Sequence, residues 1–471
     1  MTKASNLSLV RAFSILLLSL FLFGCSTFSA GNFFSHYSAQ NEEMHHELSS
    51  GDYNAALSSL DADGAGDILS NFEKGRLNLL AGNSSQSLSF FDKSDAALKK
   101  QQEKALISLS EGAESVGALA VNDNLTTYEP TDYETGFLHL YMALDYIEQN
   151  KLSDAMVEFR RANAVQEKAK KIREDTLDQE KETLSGQGII PNVASVLANY
   201  PGSSSVLSSV QNGYLFFLSG LMYEANKDIN DAYVDYRRAL AVEPNNQVIL
   251  DSVYRCAHKL GMKDDLALLN KRYKDRGRQQ LRDDQSRIII IRESGVVEAM
   301  RSWKQSLPIF DSRGRAVIYS LALPYYPSNS TEVPSIPLTI NQQSIHFDDL
   351  VDVNQMAAYA LKERIVKTIF RQVMRLVLKD QVRQQLAKDN QLASLMVSVW
   401  NALTEQPDTR SWQTLPARVS VSEKMVAPGE QKISLGNKNY EFNVEGGITV
   451  FVWVSQQGPN SVIWHKQLGR L

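Results

Sequence analysis

Two thiols and seven histidines bound the side-chain chemistry open to this chain. Cys25 closes the run Leu22-Phe23-Gly24-Cys25, behind the positive charges of Lys3 and Arg11 and the apolar residues 12–23. A basic start, a short apolar run and a small residue before a cut are the three parts of a secretory signal. Those twelve residues are too few to cross a bilayer, which takes about twenty. Cys256 sits in an apparent helix between Arg255 and Ala257 and reads as a buried, inert thiol. Glu42, Glu43, His45, His46 and Glu47 are metal-ligating types. Adjacent histidines point to different sides of a helix, however, and no cysteine completes a closed site, so a solvated first turn is the expectation. His346, near Asp348 and Asp349, and His465 could each serve as a base, but neither has an identifiable nucleophile beside it. No G-x-S-x-G elbow, H-E-x-x-H helix, Walker loop or dinucleotide glycine pattern stands at a strand-to-helix junction. The chain therefore reads as a non-enzyme with no catalytic residue, no metal site and no cofactor.

The Leu-x-Gly-Cys ending resembles a bacterial lipobox. The resemblance implies a diacylglycerol on the Cys25 thiol, cleavage before Cys25, and acylation of the new amine. One acyl chain binds only reversibly at about 0.8 kcal/mol per buried methylene, and several chains on one residue make a lasting anchor. Ser26 follows where an aspartate would favour inner-membrane retention, so the resemblance implies the periplasmic face of an outer membrane.

Composition suits an extracytoplasmic body. With Cys25 lipidated, Cys256 has no partner for an intramolecular disulfide, and packing must supply the stability. Losing Lys3 and Arg11 with the leader takes the formal net charge from −5 to −7, which argues against nucleic-acid binding. With 43% hydrophobic residues and roughly 447 residues after cleavage, two or three cores can be buried. Residues 1–24 are the leader, and 25–50, rich in Ser, Asn, Gln and His, are expected to be the lipidated cysteine and a tether.

From residue 51 to 282 the chain carries an internal repeat. In the clearest copy Phe216, Gly220, Tyr223, Ala232, Tyr236, Ala239 and Pro244 fall at the spacings of a tetratricopeptide repeat, a 34-residue helical hairpin. Gly220 and Ala232 are small where helices cross, Tyr223 and Tyr236 fill the space beside them, and Pro244 stops the second helix. A second copy holds Ala143, Tyr146, Ala155, Phe159 and Ala162 in the same register. Gly75, Gly82 and Phe91 mark a weaker unit, and Gly51 with Ala56 and Gly261 with Leu266 mark others. The small-residue markers Ala56, Ser87, Ala155, Ala232 and Leu266 are 31, 68, 77 and 34 residues apart, near multiples of 34 with one insertion. That insertion, near residues 183–209, is rich in Gly, Pro and Ser and follows the charged stretch 167–182. The resemblance to tetratricopeptide repeats spans about residues 40 to 275 and implies a solenoid whose concave groove binds peptides or proteins.

After the charged stretch 271–287 the period turns strand-like, and residues 283–471 read as a C-terminal α+β domain. Ile288-Ile289-Ile290-Ile291, residues 316–323 and several runs after Val419 read as strands of an antiparallel sheet. Gly446-Gly447 reads as a tight hairpin turn joining the strands 440–444 and 448–454. Leu361, Ile365, Ile369, Val373 and Leu376 make the apolar stripe of a long amphipathic helix. Its other face carries a basic row, Arg364, Lys367, Arg371, Arg375, Lys379 and Arg383. Such a row suits lipid phosphates or an acidic partner, at about 1 kcal/mol per residue near an anionic surface, but a solvated face of an amphipathic helix is the favoured reading. A second helix, with Leu392, Leu395, Met396, Val399, Trp400 and Leu403 in step, suits packing on the sheet.

Asp408-Thr409-Arg410-Ser411-Trp412 with Leu415-Pro416, Leu321-Ala322-Leu323-Pro324-Tyr325-Tyr326 and the helix from Glu363-Arg364 resemble an uncharacterised family of proteobacterial outer-membrane lipoproteins with tetratricopeptide repeats. The resemblance covers most of the mature chain and implies a gene context shared with lipoprotein activators of peptidoglycan synthases. Physically, Asp408 suits a cap and a pair with Arg410, and Trp412 suits packing under the sheet. The functional expectation is a lipid-anchored adaptor that binds other envelope proteins or peptides, in envelope or peptidoglycan assembly. The alternative is an envelope protein whose C-terminal domain recognises glycan or anionic lipid head groups. The oligomeric state stays open at this level.

Overall fold

The computed structural model describes residues 36–61, 65–111, 127–186, 209–273, 285–310, 316–327, 336–365, 368–369 and 407–470. Cys25 lies outside these residues, as do Lys367, Arg371, Arg375, Lys379, Arg383, Val373, Leu376, the insertion from 187 to 208 and the helix expected around Leu392 to Leu403.

The helical half is a run of hairpins. A short α1 (Tyr37–Gln40) leads into α2 (Glu42–Ser50) and α3 (Tyr53–Ser59). Then α4 (Gly66–Leu80) pairs with α5 (Ser84–Glu111), α6 (Asp132–Glu148) with α7 (Leu152–Gly186), α8 (Gly213–Ala225) with α9 (Ile229–Val242), and α10 (Gln247–Lys259) with α11 (Lys263–Arg272). Every hairpin turns on one left-handed residue: Gly51 (φ 83), Gly82 (φ 80), Asn150 (φ 63), Lys227 (φ 70) and Gly261 (φ 65). After each, a backbone N–H reaches back to a carbonyl five residues earlier: Asp52 to Glu47, Asn83 to Asn78, Lys151 to Tyr146, Asp228 to Tyr223 and Met262 to Ala257, at 2.8–3.0 Å. This helix-ending motif satisfies the last carbonyls and reverses the chain. Each turn stands five residues ahead of Ala56, Ser87, Ala155, Ala232 or Leu266, so the backbone repeats at the intervals of those side chains.

Small residues then decide how closely helices approach. A methyl group on Gly220 would lie 2.9 Å from the Tyr236 ring, and one on Gly75 would lie 2.5 Å from Phe91. Ala56, Ala155 and Ala232 are fully buried, as is Ser87, whose hydroxyl donates to Asp145 Oδ2 at 2.8 Å.

The strand half begins at β1 (Ser286–Ser294), followed by β2 (Arg301–Phe310), β3 (Ala316–Tyr325), β4 (Leu338–Ile340), β5 (Gln343–Ser344) and β6 (Asp348–Asp352). After the stretch outside the described residues come β7 (Arg418–Val426), β8 (Gly429–Leu435), β9 (Lys438–Val444), β10 (Thr449–Gln457) and β11 (Asn460–Gly469). The main sheet has the order β11-β10-β1-β7-β6, a second sheet has β5-β4-β8-β9, and β2-β3 form a separate hairpin. Ile289, Ile291, Val419, Val421, Phe451 and Trp453 join the core of the solenoid. On the opposite face Ile288, Ile290, Val450, Val452 and Val454 pack with Ile433, Leu435 and Phe442 of the second sheet. The main sheet is thus a middle layer, which is why its central strand reads as an unbroken run of isoleucines rather than an alternating one.

Four sequence expectations differ from this architecture. Residues 37–50, expected within the tether, form helices because Met44 and Leu48 find full burial. The main sheet is mixed, since β1 and β10 run parallel with Ile291 beside Trp453. Gly446 and Gly447 carry the chain from β9 in one sheet to β10 in the other, so they form a crossover turn and not a hairpin. The regions 51–282 and 283–471 share one apolar cluster that runs from Tyr37 to Trp464, while a second cluster lies wholly among the strands.

Glycines in two first helices separate crowding from helix propensity. Gly75→Ala is expected to destabilise the protein by about 1–3 kcal/mol through the clash with Phe91. Gly136→Ala, whose new methyl would meet only Leu215 at an ordinary 3.6 Å, is expected to stabilise it by about 0.5–1 kcal/mol. Urea midpoints of the two variants should move in opposite directions.

Candidate functional site

The first helices of the hairpins, α4, α6 and α8, are where a solenoid of this kind exposes its inner face. Here that face is covered by the chain itself. In α8 every residue from Gly213 to Glu224 is buried, because the second helices close one side and the main sheet closes the other. The segment 408–414 lies against α1, α4 and α6, and side chains of the solenoid hold its main chain. Glu73 accepts the backbone N–H of Gln413 at 2.7 Å and of Thr414 at 3.1 Å. Glu134 accepts that of Trp412 at 2.8 Å while its other oxygen closes a capping box with Thr131 at the start of α6. Ser38 donates its N–H to Thr409 Oγ1 and its hydroxyl to Thr409 O, and Gln413 Nε2 donates to Ser38 Oγ. Trp412 is fully buried, stacked 4.4 Å from Phe72 and within 6 Å of Phe91 and Tyr141. It therefore packs inside the solenoid, a correction to its expected place under the sheet. Asp408 and Arg410 pair through two contacts of 2.9 and 2.7 Å.

At the centre of this interface is a fully buried ion pair between Arg76 on α4 and Glu293 on β1. Tyr141 and Tyr214 donate to Glu293 Oε1 at 3.3 and 3.2 Å, and Ser455 donates to Oε2 at 3.0 Å. The Arg76 guanidinium lies 4.5 Å over the Tyr141 ring and 5.6 Å from that of Trp453, and its Nε donates to Thr414 O. Burial by itself would lower the Arg76 pKa, but Glu293 and Tyr141 outweigh it and raise it. A charge pair so placed is compensated only by this shell of donors, and removing one member strands the other.

Two carboxyls near the interface titrate late. Burial pushes Glu73 from 4.5 up to about 7, against the pull of its bonds to Thr414 and Gln413. Burial, with Asp349 and Asp352 nearby, brings Glu243 to about 7 as well. A raised folded-state pKa means that the stability each group confers is full below 4.5 and is lost as pH rises to about 7.

The sequence-level candidates distribute over the fold as follows. Phe216, Ala232, Tyr236, Ala239, Ala143, Ala155, Phe159 and Ala162 are buried in the shared core, with Gly220 against Tyr236, Tyr223 nearly buried and Tyr146 packed at the edge. Tyr236 donates to Glu224, which Arg255 grips through two contacts of 2.8 Å; this clamp links α8 to α10. Pro244 follows the end of α9. Arg364, the member of the basic row within the described residues, donates to Glu129 O at 3.0 Å. Burial pushes the Cys256 thiol up to about 12, which leaves it protonated and unreactive at neutral pH. His45 Nε2 lies 2.8 Å from Val297 O, tying α2 to the segment after β1. His346 is largely exposed beside Asp348, and His465 meets Tyr440 at 2.7 Å. Among the described residues no group of three metal-ligating side chains occurs, and no helix is long and apolar enough to cross a membrane.

Glu73, Arg76, Glu134 and Glu293 were not singled out from the sequence. Glu73 and Arg76 share one face of α4, three residues apart among apolar neighbours, and Glu293 ends the isoleucine strand. A charge inside an apolar period was the available signal, but its partner lies 217 residues away.

No protein-family model matches the chain, and no curated protein matches it. Among solved structures it is similar to MamA at 10% identity, over 49% of this chain and 91% of that one, with a TM-score of 0.27. It is also similar to a Podosopora anserina putative kinesin light chain with nearly identical TPR-like repeats, at 14% identity over 50% of this chain and 92% of that one, TM-score 0.27. A third is the TPR2AB domain of yeast Sti1 in a pHSP90 complex, at 10% identity over 50% and 76%, TM-score 0.21. At these TM-scores the overlays fix neither a whole-chain fold nor a partner. The repeating turns and crossings described above are what define the helical-repeat half.

Arg76→Met is expected to cost about 3–5 kcal/mol by stranding Glu293, and adding Glu293→Gln should recover part of that loss. A double-mutant cycle in urea reads the coupling. Between pH 5 and 8 the decline in unfolding free energy should be shallower in Glu73→Gln than in the parent, because the late-titrating carboxyl is gone. An unchanged slope would place the titration elsewhere.

Proposed function

We propose that this protein is a lipid-anchored scaffold on the periplasmic face of an outer membrane, presenting a rigid helical-repeat body to other envelope proteins. The anchor is read from Leu22-Phe23-Gly24-Cys25 behind the basic and apolar leader. The observation that carries the scaffold reading is the filling of the inner groove by the chain's own segment 408–414 and β-sheet. A groove filled in this way makes the helical half and the sheet one rigid body, and it leaves the outer faces of the hairpins for partners. Confinement to the membrane raises the effective concentration of the body for partners in the same compartment. A role in envelope or peptidoglycan assembly follows from the lipoprotein resemblance alone.

Metabolic labelling with an alkyne fatty acid should mark the parent and not Cys25→Ser, and the variant should leave the outer-membrane fraction with its thermal unfolding unchanged. Acyl label persisting in Cys25→Ser would overturn the anchor assignment.

A further inference from the structure

Among the described residues four arginines are buried: Arg76, Arg287, Arg292 and Arg410. Three of them face a carboxylate. Arg76 pairs with Glu293, Arg410 pairs with Asp408 at 2.7 Å, and Arg287 lies 3.9 Å from Glu423. Arg292, on β1 and 5% exposed, pairs with no carboxylate among the described residues. Its Nη2 donates to Gln456 Oε1 at 2.8 Å, its guanidinium lies 5.4 Å from the Phe347 ring, and its Nε is buried without an acceptor. Burial lowers its pKa, the direction opposite to that of Arg76. A buried cation is strongly unfavourable unless a counter-charge meets it.

The register of the main sheet shows what surrounds this side chain. Cross-strand partners share a face, so Arg292 stands beside Val454 of β10 and Ser420 of β7, with Ser294 two residues further along β1. On β1 the apolar contact with the second sheet runs through Ile288 and Ile290 and stops at Arg292. On β10 it runs through Val450, Val452 and Val454 and stops at Gln456. On β11 it includes Ile463 and leaves out Ser461, which stands opposite Gln456. The apolar layer therefore ends along a polar border of Arg292, Gln456 and Ser461. Gln456, Ser461 and Ser294 are buried, and the Ser461 hydroxyl, like Arg292 Nε, has no partner. Asp349 shares this face, but it is exposed and in register with Ser420, which puts it two strands or roughly 10 Å from Arg292.

We infer that Arg292 is the centre of a binding site for an oxyanion group, a carboxylate or a phosphate, on the strand half of the protein. An oxygen accepting from Nε satisfies the N–H that burial leaves without a partner, and its negative charge offsets the cation. The planar guanidinium matches both groups in geometry, and the neighbouring serine hydroxyls are donors for a further oxygen. A water at Nε would complete the hydrogen bond and leave the charge unmet. A neutral sugar or an apolar chain would do no better, so the charge itself sets the class of ligand.

The test uses full-length protein in neutral-detergent micelles, dialysed into chloride. Sodium phosphate, sodium acetate and glycerol 3-phosphate are each titrated at constant ionic strength, with the urea midpoint as readout. At least one of them should raise the midpoint above its chloride control. A response to acetate alone marks a carboxylate ligand, a response to both phosphates a phosphate ligand, and a response to glycerol 3-phosphate alone a lipid head group. Arg292→Met should weaken the binding about tenfold or more. In chloride alone the same variant should keep or raise the midpoint of the parent, because a lone buried charge has gone, whereas Arg76→Met should lower it. A parent that responds to none of the three anions overturns the inference, since a buried water then suffices. A response that survives Arg292→Met overturns it, as does an Arg292→Met midpoint that falls like that of Arg76→Met.

Discussion

Arg76 and Glu293 join the two halves of this protein at a point where neither side chain touches water. Such a pair is tolerable only if its surroundings supply hydrogen bonds, and around the carboxylate they do: Tyr141 from α6, Tyr214 from α8 and Ser455 from β10 all point at it. One ion pair therefore sets the relative position of three hairpins and two strands. The stacking of Trp412 on Phe72 and the grip of Glu73 and Glu134 on the neighbouring main chain extend the same junction outward.

The consequence is a solenoid turned inward. Carboxylates on first helices hold the backbone of an extended segment, as a peptide-binding groove would, but the segment belongs to the same chain. This arrangement joins the core of the helical repeats to that of the sheet and removes the independence of the two regions. The outer face of the hairpins stays exposed, with Val157, Val234 and Leu268 among the side chains it shows.

Much of the helical half was legible in the sequence because its determinants are local. Gly220 and Ala232 are small for reasons confined to one hairpin, and each left-handed turn is read by the five residues before it. Asn150 and Lys227 take the conformation that Gly51, Gly82 and Gly261 supply elsewhere, so periodicity located turns that glycine alone did not mark. The strand half was legible only as strands. Whether Gly446-Gly447 closes a hairpin or passes between sheets depends on which faces are buried, and that depends on residues far away.

The sequence by itself determined the repeat interval and the apolar runs, since each is written in neighbouring residues. Only the tertiary structure decided that Trp412 sits inside the solenoid, that Glu293 faces Arg76, and that β1 runs parallel to β10. The physical reason is the cost of burial. A charge or a tryptophan leaves water only where distant segments together supply bonds and contacts, and no local window contains those partners.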